Sequence, residues 1–386
     1  MNREELEWCV SVPKVELHAH LNGSVRNSTL FELARVLGDK GVIVFSDVEN
    51  VIMKDDRTLH EVFKLFDLIH ILTTDHSTVT RITKEVIEDF AAENVVYLEL
   101  RTTPKRNDSI GMSKRSYMDA VMEGLRAVSS VDVDYSPAGL KTNTFNGSTR
   151  KKMYVRFLLS IDRRESTEAA METVKLALEM RDLGVVGIDL SGNPIVGNWY
   201  SYFPYLFMCF EGYNSIIILN FLGIRHRSTF LPALKFAKEK GLYITLHCGE
   251  VPNQEEIKAM IDFFPHRIGH ACCFDEENWR KLKSAKIPVE ICLTSNIRTE
   301  TISSIDIHHF VDLYKAKHPL VLCTDDSGVF STSLSREYNL ASSSFGLGKT
   351  EMFQLAEIAI NFIFADDGVK ADLRATFKEA VKKLNS

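Results

Sequence analysis

The sequence has no Cys-x-x-Cys pair, no apolar leader and no surplus of basic charge. Without cysteines at ligand spacing, a cysteine zinc site is disfavoured. The cysteines number seven, an odd count; Cys248, Cys292 and Cys323 sit inside apolar runs, and Cys272 and Cys273 just after one. Buried free thiols in a reducing compartment fit this better than a disulfide framework. The start, Met1-Asn2-Arg3-Glu4-Glu5, is acidic and lacks an apolar h-region, so no signal peptide is expected. The net charge is −6 and the pI about 6.1. That argues against nucleic acid as the main partner, although a small basic pocket stays compatible with it. The longest apolar stretch, near 200–227, is broken by Glu211, Gly212, Asn214 and Ser215, so no membrane span is expected. A cytosolic protein follows. Ordinary composition without a coiled coil favours a monomer.

Against these absences stands Lys14-Val15-Glu16-Leu17-His18-Ala19-His20-Leu21-Asn22-Gly23. It reads as a strand entering a turn. His18 and His20 are two apart and therefore share a face. Two imidazoles at a strand end suit a divalent metal, zinc above all. One core histidine and one surface histidine would give the same pattern, so the remaining ligands must come from elsewhere.

The rest of the chain alternates short apolar runs with helical patterns. Thr29-x-x-Glu32 reads as a capping box opening a helix, residues 38–56 as loop, and Thr58-x-x-Glu61 as a second capping box whose helix carries His70 near its end. Val95 to Leu100 is a strand ending in Arg101-Thr102-Thr103-Pro104-Lys105, and residues 131–150 read as a long loop. Tyr154 to Ile161 ends at Asp162, and Val185 to Leu190 at Ser191-Gly192-Asn193. Leu242 to Leu246 runs into His247-Cys248-Gly249-Glu250, and Arg267 leads to His270. Ile287 to Leu293 ends in Thr294-Ser295-Asn296, and Leu320 to Thr324 in Asp325-Asp326. With the first strand this makes eight strands separated by helices, which implies a parallel sheet closed as a (β/α)₈ TIM barrel with extra helices. An open doubly wound sheet would want a Gly-rich phosphate turn after strand one, and Asn22-Gly23-Ser24 is not one. One barrel domain over 1–386 is expected. Residues 200–227 break its rhythm and read as an insertion, arising at an exon junction or serving as a genuine lid.

His18, His20, His247 and Asp325 all fall on strand ends of this barrel, where such barrels keep their chemistry. They can converge on one metal, and three nitrogens with one carboxylate oxygen leave a position open for water. Each has an ordinary alternative: His247 a buried strand histidine, His270 a strand cap, Glu250 a helix-start residue, Asp325-Asp326 a loop pair. Such coincidence on successive strand ends is improbable.

With these motifs, and with Leu190-Ser191-Gly192-Asn193-Pro194, the chain resembles the adenosine/AMP deaminase family of amidohydrolase barrels. Arg101 to Lys105 and the His-Leu-Asn-Gly-Ser start are similar to the branch acting on N6-methyl-AMP. The resemblance implies one zinc ion per chain, held by His18, His20, His247 and Asp325 in a mononuclear site. The lysine that two-metal relatives carry after strand four is missing. It also implies that Glu250 protonates the purine at N1, that His270 orients the hydroxide and shuttles its proton, and that Asp326 and Gly192 hold the ring. His20, Asn22, His70, Arg101, Thr102, Thr103, Pro104, Lys105 and Asp162 are implied at the ribose and phosphate of a small purine nucleotide. The implied reaction converts N6-methyl-AMP and water to IMP and methylamine. Deamination of adenosine or AMP, or a relative impaired by the 200–227 stretch, are the alternatives.

Overall fold

The computed structural model describes residues 3–54, 58–73, 75–136, 150–197, 199 and 230–384. Its strands are β1 (Lys14–His20), β2 (Val95–Thr102), β3 (Asp132–Asp134), β4 (Lys152–Asp162), β5 (Val185–Ser191), β6 (Tyr243–Cys248), β7 (Arg267–His270), β8 (Val289–Ile291) and β9 (Leu320–Leu322). All of them pair in parallel, and all but β3, which pairs with β4 off the main path, follow one another in chain order from β1 round to β9. The last step closes the ring just beyond β9. An Ala19–Asp325 bridge joins the ends, with the His20 amide donating to the Asp325 carbonyl (3.0 Å) and the Asp325 amide to the His18 carbonyl (2.7 Å). Glu16 fastens the same seam. Its carboxylate accepts from the His18 amide at 2.7 Å and from the Thr324 amide and hydroxyl at 3.0 and 2.9 Å. The expected eight-stranded barrel is therefore present. Its strands are buried on both faces, which is why they read as near-continuous apolar runs.

Four local expectations differ from the structure. Residues 38–56 contain a helix, Phe45–Met53, because Val48 and Ile52 stand four apart and bury together. The Thr29 capping box does not form: the helix begins at Asn27, so Thr29 lies inside it and donates to Glu85 at 2.6 Å, while Glu32 pairs with Arg81. The Thr58–Glu61 box does form. The strand placed at Ile287 to Leu293 is only β8; the chain then turns into the helix Leu293–Arg298. The 131–150 loop contains β3, which pairs with the first residues of β4. The 200–227 stretch lies outside the described residues; Trp199 and Phe230, on either side of it, are buried. No described helix is long and apolar enough to cross a membrane. Cys9, Cys248, Cys272, Cys273, Cys292 and Cys323 carry free thiols.

Candidate active site

The strand ends bring His18, His20, His247 and Asp325 to one point. The His247 Nε2 lies 3.1 Å from the His18 Nε2 and 3.0 Å from the His20 Nε2, and the Asp325 Oδ1 is 3.3 Å from both His18 and His20. One donor atom from each lies within 4.8 Å of every other. Bonds of about 2.0–2.1 Å to zinc set tetrahedral ligand atoms about 3.3 Å apart, so the four residues fit such an ion. Burial pushes the His20 imidazole down to about 4, which leaves it neutral with a lone pair to give.

Behind the ligands stand two carboxylates. The His18 Nδ1 meets Glu290 Oε2 at 2.5 Å and the His247 Nδ1 meets Asp189 Oδ1 at 3.0 Å. A carboxylate only accepts, so each ring carries its proton at Nδ1 and turns its Nε2 lone pair to the centre. Arg101 borders the floor of the cleft, but its guanidinium is fully buried. It donates to Asp189 at 3.2 Å, to Glu290 at 2.9 Å and to the Leu17 carbonyl at 2.6 Å. Arg101, expected at the substrate, lines the cleft and also braces the carboxylates that hold the histidines. Arg267 joins it, giving Nε to Glu290 Oε1 at 2.6 Å. Ser295 donates to the free oxygen of Asp325 at 2.7 Å. Sequence reasoning passed over Asp189, Glu290, Arg267 and Ser295. The available signal was one carboxylate inside each of two apolar strands, Ile188-Asp189-Leu190 and Val289-Glu290-Ile291.

Gly269 makes room for this packing, since a Cβ there would fall 2.6 Å from the His18 Cε1. Gly269→Ala is expected to displace His18 and weaken metal binding about tenfold or more, the scale of losing a ligand's support. Chelator competition on the folded variant checks it; unchanged affinity would sink the idea.

The cleft above the ligands encloses about 870 Å³, including its open mouth. His20, Asn22, His70, Thr102, Thr103, Asp162, Gly192, Glu250, His270 and Asp326 line it, with Val62, Phe63, Phe66 and Phe330 among its apolar walls. Asn22 Oδ1, His70 Nδ1, His270 Nε2 and Asp326 Oδ1 are buried there without a partner among the described residues. Buried polar atoms are otherwise almost always hydrogen-bonded, so four around one cleft mark where a ligand sits. The Glu250 side chain is 13 % exposed, and its Oε1 is 3.9 Å from His270 Nε2. Burial pushes its carboxyl up, with repulsion from Asp325 adding to this against the pull of His247. Asp326 is pushed well up by burial, then by Asp325 and Glu250. Gly23 lets Asp326 approach, as a Cβ there would meet its Oδ1 at 1.7 Å. His270 and Asp325 both hold left-handed backbone, at φ 64° and 63°. Such strain costs about 1–3 kcal/mol per residue and gathers at functional sites.

An adjoining groove is lined by His70, Thr103, Pro104, Lys105, Asp162 and Arg164. Lys105 is partly buried, gives Nζ to the Thr73 hydroxyl at 2.9 Å, and is pushed down to about 7 by that burial. Among the described residues no carboxylate pairs with it. Thr102 shares a 2.8 Å hydrogen bond with the Tyr117 hydroxyl. Asp162 is engaged by Arg164, a residue the sequence did not single out, at 2.7 Å.

The chain is similar to known proteins over nearly its whole length. A family model described as adenosine deaminase matches residues 13–213 and 223–380, its break falling inside the 200–227 stretch. The chain is 67 % identical over 378 residues to the N6-mAMP deaminase of Arabidopsis thaliana, covering 97 % of this chain and 99 % of that one. It is 38 % identical over 389 residues to the N6-methyl-AMP deaminase of Bos taurus, covering 97 % of each. The crystal structure of Arabidopsis ADAL complexed with IMP superimposes with a TM-score of 0.86 at 66 % identity, covering 98 % of this chain and 99 % of that one.

Proposed function

The chain belongs to the adenosine deaminase family and is a hydrolase acting on the C6 amine of a purine, and from that membership we propose that its substrate is N6-methyl-AMP. The products are IMP and methylamine. The observation that carries this reading is the set of unpartnered polar atoms lining one metal-capable cleft, with a partly buried lysine in the adjoining groove that meets no carboxylate among the described residues.

We assign one zinc ion to His18, His20, His247 and Asp325. Zinc lowers the pKa of a bound water to about 7 and so supplies a nucleophile at neutral pH. The protein's own groups do the rest. Glu250, whose protonated form its enclosure favours, gives its proton to N1 as oxygen adds at C6. His270 orients the attacking oxygen. Asp326 holds the ring at N7, and Gly192 presents its backbone to N3. The base thus lies against the inner cleft, and the amine leaves as methylamine. Asn22, His70, Thr102, Thr103, Pro104, Lys105 and Asp162 lie toward the ribose and phosphate, with Lys105 as the cation for the phosphate. The cytosolic placement rests on the free thiols.

Purified protein incubated with N6-methyl-AMP, AMP and adenosine, its products followed by chromatography, tests this reading. Turnover of N6-methyl-AMP is expected to exceed the others; activity on adenosine alone would refute it. Lys105→Met is expected to raise KM for the nucleotide by about tenfold to a hundredfold, from loss of about 1.5–3 kcal/mol of charged hydrogen bonding. Nucleoside turnover should be unaffected. Lys105 loses its proton as pH rises through about 7, so nucleotide KM should climb above that pH. We also propose that residues 200–227 are an insertion. A variant lacking them should fold and turn over at least as fast as the full chain; loss of folded protein would identify the stretch as part of the barrel's cover.

A further inference from the structure

His270 is fully enclosed, and the side chains around it form a line that decides which of its nitrogens carries the proton. The line starts from a group whose role is not in doubt. The Phe310 backbone amide, which can only donate, points at His308 Nδ1 at 3.1 Å. His308 Nδ1 is therefore an acceptor, and the buried ring carries its proton on Nε2. That Nε2 lies 3.2 Å from Asn296 Oδ1 and donates to it. The Asn296 amide is thereby fixed, since the flipped amide would set its NH₂ against the His308 N–H. Its Nδ2 then faces His270 Nδ1 at 3.1 Å and donates there. The other end of the His270 ring, Nε2, is buried in the cleft with no acceptor among the described residues, 3.9 Å from the Glu250 carboxyl. The His270 carbonyl is held in turn by His309 Nε2 at 2.7 Å. His308, Asn296 and His270 are each about 2 % exposed, so bulk water does not scramble the assignment.

We infer that Asn296, oriented by His308, is a positioning residue that holds His270 with its proton on Nε2, so that His270 meets the reaction centre as a hydrogen-bond donor. The inference deepens the deaminase reading and rests on it for its functional consequence. A donor at Nε2, with Nδ1 already occupied by Asn296, has no lone pair to turn toward the cleft. It can steady negative charge on an oxygen arriving at C6. The proton-accepting half of the shuttle implied by the family resemblance is not available to it in this arrangement. Asn296 lies on the helix Leu293–Arg298 that follows β8, an element the sequence reading does not place.

The test is nitrogen-15 NMR of the histidine rings in the metal-loaded protein without substrate, the His270 signals being assigned by their absence in His270→Gln. The expected spectrum shows His270 protonated on Nε2 and free of a proton on Nδ1. A proton on Nδ1 in the unsubstituted protein would overturn the inference whatever the substrate proves to be. In Asn296→Leu and in His308→Phe the preference should relax, both tautomers appearing. In both variants kcat on N6-methyl-AMP should fall about tenfold or more, within the scale of losing a correctly protonated group, while KM stays within roughly threefold. A relaxed tautomer with undiminished kcat would overturn the functional half. Should either variant not fold, the spectrum of the unsubstituted protein still decides the assignment.

Discussion

Glu250→Gln is expected to lower kcat by about two orders of magnitude or more, the range for a lost proton-transfer group, with metal content unchanged. Glu250 is not among the four converging donors; it lines the cleft beside His270. Glutamine keeps the shape and can donate a hydrogen bond, but it has no proton to release, so the substitution separates positioning from transfer. Burial pushes the Glu250 carboxyl up, and the nearby Asp325 carboxylate adds to that. The required form is the protonated one. The rate should therefore hold at lower pH and fall as pH rises through the elevated value, until the metal ligands themselves protonate at the acid end. Steady-state turnover of N6-methyl-AMP with parallel metal analysis reads both quantities. A glutamine variant retaining more than about a tenth of kcat would remove Glu250 from the proton-transfer role.

Glu290→Gln should strike stability and metal binding together. Glu290 takes hydrogen bonds from Arg101, from Arg267 and from the His18 ring, with no solvent at any of these partners. Glutamine removes the charge that two buried guanidinium groups share, and breaking such a buried set by one partner costs about 3–5 kcal/mol. Support for a metal-ligating imidazole is worth tenfold to a hundredfold in affinity, so zinc should bind about that much more weakly. Burial works against the ionised form of Glu290, but Arg101 and Arg267 hold its carboxyl well below the usual range. A depressed carboxyl contributes stability that is present above the unfolded value and is lost as pH falls through the folded one. The deficit of the variant should thus be full at neutral pH and shrink toward strong acid. Denaturant unfolding and chelator competition at pH 7 check the two effects. A variant as stable as its parent would show that the network is dispensable.

Much of the site could be read from the chain because a parallel barrel writes its strands as apolar runs and its chemistry as the polar residues that end them. His18-x-His20, His247-x-x-Glu250, His270 and Asp325-Asp326 each stand at such an end, and the fold brings them to one cleft. What supports them was hidden for the opposite reason. Asp189 and Glu290 lie inside apolar runs, where a charge looks like an irregularity; their partners His247 and His18 are 58 and 272 residues away. Asp189 meets His247 across the neighbouring strands β5 and β6, and closure of the ring brings Glu290 to His18. Arg101 directly precedes Thr102, so alternation along β2 turns it to the opposite face, into the barrel interior, where it meets Asp189 and Glu290. Asn296 is not legible as a support for His270 because its approach depends on the short helix Leu293–Arg298, which the sequence pattern does not announce.

The closure of the ring has a consequence for motion. The first and last strands are not joined by a long ladder; they meet through two hydrogen bonds made by the backbones of His18, His20 and Asp325. The residues that would grip the ion are thus the stitches of the seam. Whatever draws their side chains together tightens this thinly bonded seam, and stripping the ion should let it breathe there. The amides of His20 and Asp325 should then exchange with deuterium faster in the stripped protein than in the loaded one, while amides in the middle of β4 keep their pace. Equal protection in both forms would mean that Glu16 and its contacts to Thr324 hold the seam unaided.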